Sequence, residues 1–488
     1  MPQKLKFKYQ MYAHLKAQSA AIFAEAKEAA KEIGLSDKTK GQLGLTGAVS
    51  GCHGLLSRAV EEAMNDAARK VIPSAVFDEK IREVVKEYYG DEYDAALIST
   101  CEAGLNVSYE ALCMPPSLGK GDPYRARYIA PYERHFHHQG AYGRPFPPKY
   151  KEVIAERGEA AGEYGVQGKR VANLDTVVVR MQGAGYPVHG IKYNPVQDLL
   201  HTDAKKTIKA IETAAERHET MLAGFASLGY DTPGYGYGEK DRNGAPALQV
   251  GISELAQRFD VPYIVDNAWG TPFTGTDIRK NGADVMIYSM DKASGAPTCG
   301  LIIGKEEPMV LIRRALGIHG ARYGTLASHG KAAYVGFDPG KEALSGALAA
   351  MKILKDQPEI TMTALDGLYD ICMEEFENLP KALQKGWNFY KSPNCQAVEL
   401  NYSDSWKDGF GIPIFSIEDM YAGSHVLQEG MKAMGLIPTI AYDANIFISN
   451  GVGNLDEEGR LMEEPTRLAI RAMYKLIEII SRHAGLMD

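Results

Sequence analysis

Short runs of consecutive apolar residues, separated by stretches of helical periodicity, constrain the fold of this chain more than any other feature. The runs lie at residues 95–99, 176–181, 263–265, 285–289 and 300–304. Strands that are apolar at every position are typical of sheets covered on both faces, and helices between them imply parallel crossover connections. The sequence therefore predicts an α/β fold with a mainly parallel sheet flanked by helices.

The 488 residues are too many for a single small core and indicate more than one domain. Residues 1–45 are predicted to form an N-terminal helical arm, ahead of a large α/β domain at 46–358. Residues 359–488, where helices alternate with short strands, are predicted to form a smaller α+β domain.

One crossover helix is especially clear, because Thr202 and Asp203 can cap its start. Its apolar positions Ile208 and Ile211 follow at helical spacing, and we expect a break at Gly224.

The charge balance argues against nucleic-acid binding, since 54 Lys and Arg face 62 Asp and Glu, for a net charge of −8. The first residues lack a secretory apolar segment, and no run approaches the roughly 20 apolar residues of a membrane span. The six cysteines include no C-x-x-C pair, which is typical of reduced thiols. We therefore expect a cytoplasmic protein without membrane contact.

Residues 261–305 carry the strongest chemical signal. Asp266 ends one predicted buried strand, and Lys292 follows the next. In an open parallel sheet, both strand ends lie at the carboxyl edge, where ligands bind. Pyridoxal phosphate needs this pair, because a lysine forms the Schiff base and a carboxylate keeps a proton on the pyridine nitrogen.

Ser289, in the segment S-M-D-K, lies three residues before Lys292, where its hydroxyl could reach the cofactor phosphate. The alternative is structural: Asp266 would cap a helix, and Lys292 would be a solvated loop cation. The joint occurrence of Asp, turn, strand, Ser, Lys and a Gly-rich exit favours the cofactor site.

This segment resembles the cofactor-lysine region of the fold-type I pyridoxal-phosphate enzymes. S-M-D-K-A-S-G-A-P is similar to the S-x-D-K pattern of bacterial selenocysteine synthase. V-D-N-A-W-G-T-P resembles the D-N-T-x-x-T-P of the cystathionine lyases, although the S-x-T-K of that family is S-M-D-K here. The resemblance implies the fold and the cofactor, with Asp266 and Lys292 as catalytic residues.

A phosphate site is expected earlier, at a strand-to-helix turn whose amides and helix dipole face the anion. The segment S-T-C-E-A-G-L at residues 99–105 suits that place, although its Ala-Gly pair could also be a plain tight turn. The resemblance implies that the backbone of Glu102, Ala103 and Gly104 holds the phosphate. Ser227 is a weaker candidate.

The segment Y-E-R-H-F-H-H at residues 132–138 lies where relatives often place a ring stacked on the cofactor. We take His137 as the candidate. His135, His137 and His138 could also bind a metal, but the H-x-H-H pattern lacks a partner motif, so no metal is predicted. A solvated loop is the other alternative.

Near the end of the chain, E-E-P-T-R-L-A-I resembles the C-terminal segment of the β-eliminating lyases tryptophanase and tyrosine phenol-lyase. The resemblance implies that Arg467 binds the substrate α-carboxylate in a bidentate fork. The alternative is that Arg467 pairs with Glu463 and Glu464 on the surface. The S-G-K-K motif of those lyases is absent.

Together these features predict a pyridoxal-phosphate-dependent lyase that eliminates or replaces a side-chain group of an amino acid. The alternatives are a selenocysteine-synthase-like transferase on aminoacyl-tRNA, an aminotransferase, and a catalytically silent relative. The resemblance also implies a homodimer or homotetramer, with the N-terminal arm near a partner.

Overall fold

A computed structural model gives the structure of much of the chain. It describes residues 8–46, 54–113, 127–129, 203–233, 236–316, 339–402, 404–405, 426–442 and 445–487. These residues form two compact units. The described residues from 56 to 358 make up one unit, and those up to 55 and from 359 onwards make up the other.

The helices and strands are numbered in chain order over the described residues. The helices are α1 Lys8–Ile33, α2 Arg58–Ala68, α3 Ser74–Tyr89, α4 Cys101–Cys113, α5 Ala204–His218, α6 Ala247–Phe259, α7 Ile278–Asn281, α8 Glu306–Ala315, α9 Lys341–Asp356, α10 Pro358–Phe376, α11 Val426–Ala433 and α12 Glu463–His483. The strands are β1 Tyr93–Ile98, β2 Arg127–Ile129, β3 Leu222–Leu228, β4 Tyr263–Asn267, β5 Val285–Ser289, β6 Gly300–Lys305, β7 Asn388–Ser392, β8 Ala397–Asn401, β9 Ile440–Tyr442 and β10 Asn445–Ser449.

The unit of residues 56–358 contains a sheet with the strand order β1-β6-β5-β4-β3-β2. All its described strands run in one direction except β6, which is antiparallel to both β1 and β5. The prediction of parallel crossovers is therefore wrong for β6. The physical reason is the short, non-helical connection at residues 290–299, since a parallel crossover needs about a dozen residues or more.

The apolar runs at 95–99, 263–265, 285–289 and 300–304 fall on β1, β4, β5 and β6, as predicted. Every residue of β1, β3, β4 and β5 is buried, so both faces of the sheet are covered. The run at 176–181 lies outside the described residues.

Strand β3 was not predicted, because Gly224 read as a helix break. In the structure Gly224 lies inside the strand, and a Cβ there would be 2.9 Å from the carbonyl oxygen of Pro262. Glycine thus permits close approach of the backbone that leads into the neighbouring strand β4. The helix before it, α5, begins as expected: the Asp203 carboxylate accepts a hydrogen bond from the amide of Lys206 at 3.1 Å.

The other unit contains an antiparallel sheet with the order β7-β8-β10-β9. Its core combines residues from both ends of the chain. Leu15 and Ile22 of α1 lie in the same buried cluster as Val398 of β8 and Ile477 of α12. The segment predicted as a separate N-terminal arm therefore packs into the unit that holds the C-terminal residues.

Among the described helices, none combines the length and apolar character that a bilayer span requires. The cysteines within the described ranges are free thiols, and all are buried.

Candidate active site

The carboxyl ends of β1, β4 and β5 meet at one edge of the sheet, because these strands run in the same direction. Asp266 is the penultimate residue of β4, and Lys292 follows β5 after a short turn. Helix α4 begins directly after β1 at the same edge. The structure thus places Asp266, Lys292 and the predicted phosphate segment together.

The buried thiol of Cys101 shows how close these charges lie. Burial raises the pKa of the Cys101 thiol well above its ordinary value, and the Asp266 carboxylate adds to the rise. The ammonium group of Lys292 opposes it, whereas Asp291 and Glu102 add to it. All four charged side chains act on one thiol, so they occupy the same small region.

Asp266 is only 2% exposed, so its carboxylate is buried. Its Oδ1 accepts a hydrogen bond from the amide of Ala268 at 3.1 Å. The backbone carbonyl of Asp266 accepts another from the amide of Gly229 at 3.0 Å, which ties β4 to the end of β3. A charge buried to this extent requires hydrogen-bond donors or a cation nearby.

Lys292 lies in a closed turn between β5 and β6. The amide of Met290 donates to the carbonyl of Cys299 at 2.9 Å, and the amide of Ala296 donates to the carbonyl of Met290 at 2.9 Å. Gly295 completes the turn with a φ of 66°, which a side chain would strain. These hydrogen bonds fix the backbone of the turn that carries Lys292.

Ser289 was predicted to bind phosphate, but its hydroxyl donates to Oδ1 of Asp291 at 2.5 Å. Both side chains are buried, at 5% and 4% exposure. The bond supports the turn that carries Lys292. A phosphate contact for Ser289 stays a prediction.

The first turn of α4 contains Glu102, Ala103 and Gly104, the predicted phosphate amides. The amide of Ala103 donates to the side-chain hydroxyl of Thr100 at 3.0 Å, and the amide of Gly104 donates to the carbonyl of Thr100 at 3.0 Å. Two of the three amides therefore serve the helix itself. Of the predicted phosphate site, the structure shows a helix N-terminus at the sheet edge. Phosphate binding by these amides stays a prediction.

Aromatic side chains border Lys292 on one side. The amine of Lys292 lies 6.0 Å from the centre of the Trp269 indole. Tyr230 packs edge-on against that indole at 5.4 Å between centres, and Tyr237 follows at 6.1 Å from Tyr230. Sequence reasoning missed Trp269 and Tyr230, although one lies in the quoted V-D-N-A-W-G-T-P segment and the other in a Gly/Tyr-rich loop.

A buried amide network holds the segment that carries Tyr230. The side-chain amide of Gln249, fully buried in α6, donates to the carbonyls of Leu228 and Tyr230 at 3.0 and 3.2 Å. The amide of Asn281 donates to the Gln249 oxygen at 3.0 Å. No sequence pattern signalled this pair, because a polar residue in a helix usually faces solvent.

The loop after β4 contains a strained residue, Phe273, with a φ of 70°. The Phe273 amide donates to the hydroxyl of Tyr89 at 3.1 Å, and the hydroxyl of Tyr88 donates to the Phe273 carbonyl at 2.6 Å. Both tyrosines end helix α3. Their hydroxyls bond to both the amide and the carbonyl of Phe273 and so fix its backbone.

Two further candidates, Ser227 and His137, stay predictions. Ser227 is fully buried, and its hydroxyl lies 2.6 Å from the hydroxyl of Tyr263 inside the core. His137 lies outside the described residues, together with His135 and His138. Within the described residues, no group of three or more potential ligands could hold a metal ion.

Arg467 lies in the first turns of α12, in the unit that contains the chain ends. Its guanidinium contacts Glu374, Glu463 and Glu375 at 2.7, 2.8 and 3.2 Å. These contacts favour the ion-pairing alternative, because a substrate carboxylate would have to replace carboxylates already in place. Substrate binding by Arg467 stays a prediction.

Two solved structures have the same architecture. A protein from Corynebacterium diphtheriae, designated a PLP-dependent β-cystathionase, has a TM-score of 0.50 and 14% identity, over 93% of this chain and 98% of that chain. A transaminase from the marine bacterium Virgibacillus has a TM-score of 0.50 and 13% identity, over 86% of this chain and 85% of that chain. No protein-family model and no curated protein matches the sequence.

The likeness to these two structures concerns the fold alone, and it confirms the predicted α/β fold. The chain has the α/β fold of the fold-type I pyridoxal-phosphate-dependent enzymes.

Proposed function

We propose that this protein is a pyridoxal-phosphate-dependent enzyme acting on an amino acid, and that it is a lyase. The single observation that carries the proposal is the position of Asp266 and Lys292 at the ends of adjacent parallel strands, where both act on the Cys101 thiol. Ligands bind at this edge of open α/β sheets.

The residues present fit the cofactor. When bound, pyridoxal phosphate supplies an aldehyde for an amine and a ring that accepts an electron pair. Lys292 would hold the aldehyde and later move the proton at the substrate α-carbon. Asp266, which is 2% exposed, would hold the proton on the ring nitrogen through its buried carboxylate.

The N-terminus of α4 lies at the same edge and would favour the phosphate through its dipole. Glu102, Ala103, Gly104, Ser289 and His137 stay proposed cofactor contacts, and Arg467 a proposed substrate contact. Sequence segments similar to those of the cystathionine lyases and β-eliminating lyases support the lyase reaction. One of the two fold neighbours is designated a transaminase, so amino-group transfer is the second candidate.

The test is the visible absorption of the purified protein with added pyridoxal phosphate, for the wild type, Lys292→Ala and Lys280→Ala. Lys280 is an exposed lysine in α7 of the same unit, and it serves as the matched control. We expect a visible band in the wild type and in Lys280→Ala that Lys292→Ala lacks. Turnover should fall about a hundredfold or more in Lys292→Ala.

A panel of L-amino acids then separates the reactions. Release of a keto acid and ammonia without an acceptor supports the lyase, whereas product formation only with an added keto acid identifies an aminotransferase. A salt-sensitive tRNA complex would support the aminoacyl-tRNA transferase. A wild type that stays colourless with pyridoxal phosphate contradicts the whole proposal.

A further inference from the structure

We propose that Trp269 is a positioning residue for Lys292, whose indole face holds the lysine ammonium in place while no cofactor is bound. The inference rests on the proposed function, because it takes Lys292 as the reactive amine. It adds a role for a residue outside the Asp266–Lys292 pair.

The geometry is that of a cation–π contact. The Lys292 amine lies 6.0 Å from the centre of the indole, at the outer end of the range in which a ring attracts a cation. The attraction acts on the charged form of the amine alone. The indole therefore favours the ammonium over the neutral amine that reacts with an aldehyde.

Neighbouring side chains support the indole. Tyr230 contacts it edge-on at 5.4 Å, and Tyr230 is itself only 3% exposed. The Gln249 amide bonds to the Tyr230 carbonyl at 3.2 Å, and the buried side chain of Asn281 holds Gln249. A ring supported in this way presents a constant face to Lys292.

Other charged and titratable groups also bear on this region. They are Asp266 from β4, Asp291 from the lysine turn, and Glu102 and Cys101 from α4. The Trp269 variants retain all of these groups, so a comparison of the variants tests the contribution of the indole.

The experiment measures acetylation of Lys292 by acetic anhydride as a function of pH, on the full chain freed of cofactor. Lys305, which bonds to Asp284 at 2.8 Å, is the reference amine within the same protein. The variants are Trp269→Leu and Trp269→Tyr, with Trp387→Leu in the other unit as the matched control. Trp269→Met replaces Trp269→Leu if the leucine variant does not fold.

We expect the midpoint of Lys292 acetylation to fall by about half a pH unit to one unit in Trp269→Leu. Below the midpoint, this is a gain of about three- to tenfold in the reactive amine. Trp269→Tyr keeps an aromatic face and should lie between the wild type and Trp269→Leu, while Trp387→Leu should match the wild type.

A changed plateau rate with an unchanged midpoint would mean that the indole only shields the amine, and it would overturn the proposal. Equal midpoints of Lys292 acetylation in Trp269→Leu and Trp269→Tyr would also overturn the proposal. Independently, Lys292→Met removes the ammonium from beside the indole, so the tryptophan emission spectrum must change; an unchanged spectrum contradicts the contact. If the wild type binds no pyridoxal phosphate while the midpoint still shifts, the proposed function fails and the contact stands.

Discussion

The sequence pattern around Gly104 predicts phosphate binding, and in the structure the same residue serves the packing of α4 on the sheet. A Cβ at this position would lie 2.8 Å from Cγ2 of Ile287 and 3.3 Å from Cγ1 of Ile302. The glycine therefore lets α4 approach the sheet closely. Its amide is at the same time bonded to the Thr100 carbonyl.

We expect Gly104→Ala to destabilise the protein by about 1–3 kcal/mol, because the added methyl group overpacks the contact between α4 and the sheet. Denaturant unfolding followed by circular dichroism measures the change. Gly340→Ala is the control, since its Cβ would meet only a flexible carboxylate oxygen of Glu342 at 3.4 Å. Equal stability of the two variants would show that the close approach is unimportant.

At the scale of elements, a buried carboxylate joins helices α10 and α12. Glu375 of α10 accepts hydrogen bonds from Arg471 at 2.8 Å and from Arg467 at 3.2 Å. Burial alone would raise the pKa of Glu375, but the bonds from Arg471 and Arg467 more than offset it and hold the pKa below its ordinary value of 4.5. The folded protein therefore favours the charged form.

A lowered pKa in the folded state stabilises the protein above the unfolded-state pKa, and this stabilisation is lost as the pH falls through the folded-state pKa. We expect Glu375→Gln to lose about 2 kcal/mol at pH 7, and to show a weaker loss of stability than the wild type on acidification below about pH 4.5. Urea unfolding at several pH values measures both effects.

The control for this prediction is Glu377→Gln, which alters an exposed carboxylate next to α10. It should retain the stability and the pH dependence of the wild type. If Glu375→Gln lost stability on acidification as steeply as the wild type, other carboxylates would account for the acid sensitivity.

At the scale of the whole molecule, the two ends of the chain form one unit. Ile22 of α1 is fully buried in the cluster that contains residues of α10, α11 and α12. The Glu25 carboxylate also bonds to the ring of His483 at 2.9 Å. Helix α1 is thus a core element of the C-terminal part of the chain.

We expect Ile22→Ala to cost about 2–5 kcal/mol, because it opens a cavity in that core. Hydrogen exchange should show lost protection in α12 as well as in α1. Lys27→Ala, on the exposed side of the same helix, should leave the stability and the hydrogen exchange of α1 and α12 unchanged. If only α1 lost protection, the helix would be an appendage and not part of the core.

From the sequence alone, the sheet strands whose apolar character is continuous, such as β4 and β5, can be predicted. A strand whose consecutive residues are all apolar can bury them only in a sheet covered on both faces, so the pattern needs no knowledge of distant contacts. The same holds for Asp266 and Lys292, whose places at strand ends follow from the order of the elements along the chain.

Tertiary structure alone decided the antiparallel direction of β6, the strand around Gly224, and the place of α1 in the C-terminal core. It also decided that the Ser289 hydroxyl bonds to Asp291 and that Trp269 borders Lys292. The strand around Gly224, the place of α1 and the contact of Trp269 with Lys292 depend on residues far apart in sequence meeting in space. The direction of β6 and the Ser289–Asp291 bond depend instead on how the short connection after β5 turns. Local periodicity records which side chains are buried, but not which neighbours bury them.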